Sequence, residues 1–409
     1  CPQANYYFTI FKNIINMRVL IYFYNEQHWI HFRYAEFDAL LHMHGLIPTD
    51  IYEKPMDMGM AASSLQHSPF LIAELPSIEI AQSICKRSVL IRQILLLWDY
   101  TNNFDELSSR VSTCPVCNPA TGVVSTCESN HCHHTTDTDV DINSKTFSVS
   151  IHTFGQSLSS TQKVNLRNSL PVGRFTGKVK LSSPELPVML IMDFSSKHEN
   201  DKKSVVQDVD DVNKIIMTEE GAISYPKRVK TGGVGSKKSD DIVGVPCYFG
   251  LAIGFGGMKD EILKYDLKNR LFIGPTSLDH VLALIMSNLS YVDANSVVLD
   301  PFVGTASLLV AASHFKASCF GSDIDIRVLK GDMYAGKADR KVDKTKRDII
   351  ENFKHYGLQT PEIIRLDNAM FDAHFECGHV LSGFYDAIIT DPPYGIRAGA
   401  RKSGIYVNM

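Results

Sequence analysis

The side chains best suited to chemistry sit in three short segments of the last third of the sequence. LDPFVGTAS (Leu299–Ser307) puts an acid at the end of an aliphatic run, then a glycine turn, then an apolar helix pattern. In an open α/β sheet, ligands bind at the carboxyl ends of the strands, and Gly304 lets the backbone approach a ligand closely. GSDID follows, with Asp323 closing a second strand pattern. An ionised carboxylate there accepts hydrogen bonds from both hydroxyls of a ribose, so the two segments together suit a nucleoside-bearing cofactor. Asp325, two residues on, reads instead as a helix cap. The third segment, TDPPYG (Thr390–Gly395), also comes directly after a strand pattern. Pro392 and Pro393 restrict the backbone, so the Asp391 carboxylate and the Pro392 carbonyl point in set directions. The amine of a nucleobase is a poor nucleophile because its lone pair is delocalised into the ring. Two acceptors on its N–H bonds draw it toward tetrahedral geometry, while a ring such as Tyr394 stacks on the base. That work needs orientation and fixed charge more than a strong base.

These segments require a scaffold of strands that end side by side. From about Val243 onward strand and helix patterns alternate. Strands are predicted over Val297–Asp300, Ser318–Asp323, Glu362–Leu366 and Ala387–Thr390, and Leu308, Leu309, Ala312 and Phe315 form one stripe of a helix. This βαβ rhythm predicts a parallel, doubly wound α/β sheet of Rossmann type over residues 242–409. Upstream, residues 17–107 read as an α+β domain of ferredoxin-like kind. Its strands are Arg18–Tyr24 and Phe70–Leu75, and its helices run through Phe37, Leu40 and Leu41 and through Ile78–Ile84, before an Ile- and Leu-rich stretch from Val89 to Leu97. Residues 108–145 are a Cys-, His-, Ser- and Thr-rich insertion. Residues 146–194 add a strand over Thr146–Thr153, a helix over Ser160–Leu170 and a strand over Val188–Met192. Residues 195–241 are a charged linker.

Composition narrows the classes. The chain has 409 residues, 44% hydrophobic and 21% charged, which excludes collagen-like, coiled-coil and wholly disordered chains. The net charge of −4, from 41 basic against 45 acidic residues, excludes a uniformly basic nucleic-acid coat, so any such contact comes from local patches. No apolar run is long enough to cross a membrane as a helix. Nine scattered cysteines and no secretory signal pattern predict a reducing compartment, the cytoplasm.

DPFVGTAS, GSDID and DPPYG together resemble a class I S-adenosylmethionine-dependent amino-methyltransferase. More closely, FIGPTSLDHVLALIMSN (Phe272–Asn288), LDPFVGTASLLVAASHF (Leu299–Phe315) and DPPYGIRAGARKSG (Asp391–Gly404) resemble the catalytic subunit of the eukaryotic tRNA guanine-10 N2-methyltransferases. FRYAE at Phe32, PFLIAELPS at Pro69 and GKVKLSSPEL at Gly177 extend the resemblance into the N-terminal half, the last of them as part of an RNA-binding THUMP domain. The resemblance implies methyl transfer from S-adenosylmethionine to the N2 amine of a guanine in tRNA. It also implies a small zinc-binding activator subunit, and neither a membrane nor DNA as partner. Carried onto this sequence, it assigns Asp300 and Gly304 to the methionine end of the cofactor, Asp323 to the ribose, Asp367 to the adenine and Thr276 to a further cofactor contact. Asp391, Pro392, Pro393 and Tyr394 would hold the target amine. The family pattern carries a second glycine where this chain has Ala306. It also has a seven-stranded sheet, of which four strands are readable here, so the sheet is expected to be incomplete after the fourth.

Arg397, Arg401 and Lys402 beside the catalytic loop are placed to meet a tRNA backbone. Lys227, Arg228, Lys230, Lys237 and Lys238 read as a solvated linker. Cys114 and Cys117 have zinc-like spacing, but Cys127 and Cys132 follow irregularly, so this cluster is a weak metal candidate beside the reading of a solvated insertion. Two rival functions stay open. An adenine-N6 DNA or protein-glutamine methyltransferase uses related NPPY or DPPY loops, and a tRNA-binding fragment with an incomplete sheet would be catalytically dead.

Overall fold

The computed structural model describes residues 17–25, 28–53, 68–113, 145–170, 177–195, 242, 244–274, 277–331, 348–370 and 383–393. In chain order its main elements are β1 (Met17–Phe23), α1 (Arg33–Met43), β2 (Phe70–Leu75), α2 (Ile78–Arg87), β3 (Ile91–Thr101), α3 (Phe104–Thr113), β4 (Phe147–Phe154), α4 (Ser160–Ser169), β5 (Leu186–Asp193) and β6 (Cys247–Phe255). They continue with α5 (His280–Leu289), β7 (Val297–Asp300), α6 (Ser307–His314), β8 (Ser318–Asp323), α7 (Ile349–Tyr356), β9 (Glu362–Arg365) and β10 (Ala387–Ile388). The chain forms two compact units, one of residues 1–20, 54–76 and 95–252, the other of 21–53, 77–94 and 253–409.

The first unit is built on a six-stranded sheet of order β2-β1-β3-β6-β5-β4. β4 and β5 run parallel, and β5 and β6 antiparallel. Leu186, Val188, Leu190 and Met192 alternate along β5 and pack with Leu107, Val111, Leu166 and Phe249, so one face of the sheet is the core of this unit. Two expectations change here. The ferredoxin-like domain over 17–107 has no sheet of its own, because β1, β2 and β3 join β4 and β5 through β6. In addition, the helix α3 runs through Thr113, past the expected start of the insertion at 108. β6 itself was not expected as part of this sheet. A Cβ on Gly250 would lie 2.2 Å from the Leu96 carbonyl oxygen, so glycine is what allows β3 this close.

The second unit carries a four-stranded parallel sheet of order β10-β7-β8-β9. The predicted doubly wound sheet is therefore present as strands 3-2-1-4, with the reversal of order between β7 and β10. The helix α6 has every residue from Ser307 to Ser313 buried, as SLLVAAS demands: a helix apolar all round must be enclosed. It packs on β7, β8 and α5. Helices α1 and α2 belong to this unit too, and a buried carboxylate shows how. Glu36 of α1 is fully buried and accepts from Ser88 Oγ (2.7 Å), the Val89 and Leu90 N–H groups (2.9 and 3.0 Å) and Asn288 Nδ2 (2.7 Å). Burial raises its pKa, and these four donors act against that rise. Arg87 Nε donates to Asn288 Oδ1 at 3.0 Å, and the guanidinium lies 4.0 Å over the Phe315 ring. Residues of the N-terminal sequence are thus part of the body that carries the glycine turn.

Candidate active site

The site is made by three strand ends. β7 closes on Asp300, which is 2% exposed. One carboxylate oxygen, Oδ1, accepts the N–H of Phe302 at 3.1 Å and so folds the following residues into a turn. The Val303 N–H donates to the Ser322 carbonyl (2.9 Å), and the Gly304 N–H donates to Asp323 Oδ2 (3.1 Å), so the turn hangs on the end of β8. Gly304 sits at φ +51°, and a Cβ there would meet only the Phe302 carbonyl oxygen, at 3.9 Å. The other Asp323 oxygen accepts the Asp325 N–H at 2.8 Å, and Asp325 in turn caps the short helix after it, as expected.

β9 supplies the third wall. The Leu366 N–H donates to the Asp323 carbonyl (3.1 Å), and Asp367 accepts the Ala369 N–H (3.1 Å). Asn368 reaches across: its Nδ2 donates to the Pro301 carbonyl, and its Oδ1 lies 3.2 Å from Ser322 Oγ. A second brace comes from the GPTS stretch. Asn352 of α7 makes two 2.8 Å bonds to the backbone N–H and carbonyl of Phe272, and Ser277 Oγ lies 2.8 Å from Thr305 Oγ1.

β10 decides whether the site is one crevice. Ile388 pairs with Leu299, and the Ile389 N–H donates to the Leu299 carbonyl at 3.0 Å. The next residue, Thr390, donates its hydroxyl to Asp300 Oδ1 at 3.0 Å. The DPP turn therefore starts beside the glycine turn, at the switch point between strands 1 and 4. Electrostatics report the same convergence. Asp300 is pushed up to about 7, first by burial and further by the negative charges of Asp323 and Asp391, while the Phe302 N–H and the Thr390 hydroxyl pull it down. The structure thus brings Asp300, Gly304, Asp323 and the DPP turn (Asp391, Pro392, Pro393) together, with Asp367 at the neighbouring strand end. Thr276, Tyr394, Arg397, Arg401, Lys402, Cys114, Cys117, Cys127 and Cys132 lie outside the described residues.

Residues 268–407 match the RMKL-like methyltransferase domain (UPF0020), and residues 17–115 match the Tmrp11 THUMP N-terminal domain. The tRNA (guanine(10)-N(2))-methyltransferase TRMT11 of Mus musculus is 32% identical over 340 residues, 82% of this chain and 60% of that protein. The Homo sapiens protein of the same name is 30% identical over 384 residues, 92% of this chain and 66% of that protein. The chain is a homologue of the tRNA (guanine(10)-N(2))-methyltransferases. It spans 60% of the length of the mouse relative and 66% of the human one. The crystal structure of TrmN from Thermus thermophilus aligns with a TM-score of 0.39 at 14% identity, covering 93% of this chain and 80% of that one.

Within this methyltransferase domain the residues that sequence reading passed over are Thr390, Asn368 and Ser277. Each is a small polar side chain that holds one loop to another, and nothing in its local pattern distinguishes it from a surface residue. Ala306, where the family pattern has glycine, explains itself. It stands at φ +64°, in the left-handed region, and is wholly buried in front of α6. Glycine adopts that backbone freely, while alanine is strained there. A branched side chain would add both backbone strain and crowding. Ala306→Val is expected to cost about 2–4 kcal/mol of folding stability, read as a lowered midpoint of chemical denaturation with an unchanged slope.

Proposed function

We propose that the protein to which this chain belongs methylates the exocyclic N2 of guanine 10 in tRNA, with S-adenosylmethionine as cofactor. The observation that carries the reading is the Thr390–Asp300 hydrogen bond, which sets an amine-accepting turn beside a glycine turn in a methyltransferase domain. The donor set suits a cationic nucleoside. Asp300, Asp323 and Asp391 lie near enough for the last two to raise the pKa of the first, a negative field that favours a positively charged ligand. Each Asp323 oxygen holds one backbone N–H, which leaves it a lone pair for a ribose hydroxyl. S-adenosylmethionine, when bound, supplies an electrophilic methyl group on a sulfonium.

The roles are those that the family resemblance implies. Asp323 would hold the ribose, Asp367 the adenine, and the turn from Asp300 to Gly304 the methionine end. Asp391 and the Pro392 carbonyl would accept the two N–H bonds of the guanine amine, turning its lone pair toward the crevice, with Tyr394 stacked on the base. A guanine inside a helix hides this amine, so the base must leave its stack, at a cost of a few kcal/mol. The match to a THUMP N-terminal domain supports tRNA over duplex DNA or a protein glutamine as acceptor. The small zinc-binding activator subunit rests on the family resemblance alone.

The test is acceptor choice by the intact protein. Labelled methyl should appear in unmodified tRNA, as N2-methylguanosine at position 10, and not in duplex DNA or a glutamine-bearing peptide. Label in DNA or peptide but not in tRNA rejects the reading. Binding of tRNA without binding of S-adenosylmethionine would favour the catalytically dead alternative.

A further inference from the structure

Strand β10 is paired with β7 through Ala387 and Ile388, with a further backbone bond at each end, from the Asp386 N–H to the Val297 carbonyl and from the Ile389 N–H to the Leu299 carbonyl. The ladder thus ends one residue short of Thr390 and two short of Asp391. Beyond it a side chain takes over. Thr390 Oγ1 donates to Asp300 Oδ1 at 3.0 Å, and the same oxygen accepts the Phe302 N–H at 3.1 Å. A single buried oxygen atom therefore gathers the first N–H of the glycine turn and the hydroxyl that precedes the DPP turn. Asp300 is held on the end of β7, whose Asp300 pairs with Gly321 of β8, so it is the fixed partner.

We propose that Thr390 is a positioning residue that sets the DPP turn against the glycine turn through Asp300. The inference rests on the methyltransferase reading above and deepens it, since a methyl group passes between two loops only if their separation is fixed. Misplacement on the order of 1 Å costs about a hundredfold in such reactions. Valine has nearly the shape of threonine but no hydroxyl, so it leaves Asp300 with the Phe302 N–H and with Asp323 and Asp391, the two carboxylates that face it. Loss of the donor removes one of the two groups that favour the ionised form.

The experiment measures kcat, KM for tRNA and the pH–rate profile for wild type, Thr390→Val, Thr390→Ser and Thr390→Ala. Thr390→Val is expected to lose about tenfold to a hundredfold in kcat, with KM for tRNA changed less than about threefold, and the acid limb of the profile should move to higher pH. Thr390→Ser, which keeps the donor, should restore most of the loss. A Val variant with wild-type kcat and an unmoved acid limb overturns the proposal. If the Val variant does not fold, Thr390→Ser decides: a loss as large as that of Thr390→Ala shows that the hydroxyl is not what matters and overturns it too. Failure of the underlying reading looks different, because wild type would then put no methyl into tRNA.

Discussion

Asp391→Ala is expected to lower kcat for tRNA methylation by about a hundredfold to a thousandfold, the usual cost of deleting one preorganised charged or polar group that meets the reacting atoms. Affinity for S-adenosylmethionine should fall far less, because Asp391 acts on the cofactor only through its charge. The split follows from where the residues stand. The cofactor contacts assigned above come from the ends of β7, β8 and β9, while Asp391 follows β10 on the other side of the switch point. On the proposed reading, the guanine amine would without the carboxylate lose one of its two acceptors and keep its lone pair in the ring. Asp391→Asn separates charge from shape, because its carbonyl still accepts one hydrogen bond, and it should retain more activity than alanine. The variant also removes one of the two negative charges that raise the pKa of Asp300, so that carboxyl should ionise at lower pH. Single-turnover methylation with a parallel calorimetric titration checks both halves. Undiminished turnover in Asp391→Ala removes the acceptor role. A large loss of cofactor affinity instead moves Asp391 into the cofactor's own contacts.

How much of this was readable in the sequence depended on how local the cause was. Phe70–Leu75, Val297–Asp300 and Ser318–Asp323 have the predicted bounds, because apolar patterning and flanking turn residues lie within the element itself. The acid, glycine turn and DPP turn were legible for the same reason: each is a local backbone device. The single six-stranded sheet was not, because β3 is joined to β5 by a strand whose Gly250 makes sense only beside Leu96. Glu36 looked like an ordinary helix-face acid, since its partners Ser88, Val89, Leu90 and Asn288 are far along the chain. Thr390 is the same case at the site. Its partner lies 90 residues away, and only the pairing of β10 with β7 brings them together.

Asp300 should make the fold less stable as pH rises, and the sign can be worked from its environment. Its folded pKa, about 7, lies above its ordinary value of 3.8, so the folded state holds the proton more tightly than the unfolded chain. The stabilising contribution is complete below about pH 4 and is lost as pH climbs through 7. At 1.36 kcal/mol per pH unit, the full effect is on the order of 4 kcal/mol. Asparagine is neutral throughout and can keep the Thr390 and Phe302 bonds through its carbonyl oxygen. Asp300→Asn should therefore match wild type within about 1 kcal/mol near pH 4 and become more stable by about 2–4 kcal/mol at pH 8. Urea unfolding of both proteins at the two pH values gives the comparison directly, and a difference that does not change with pH rejects the account. The same variant should methylate poorly at pH 8, where wild type carries the negative charge that favours a cationic cofactor. If the crevice takes the cationic cofactor proposed above, this charge costs stability but favours the ligand, and neutralising it should trade function for stability.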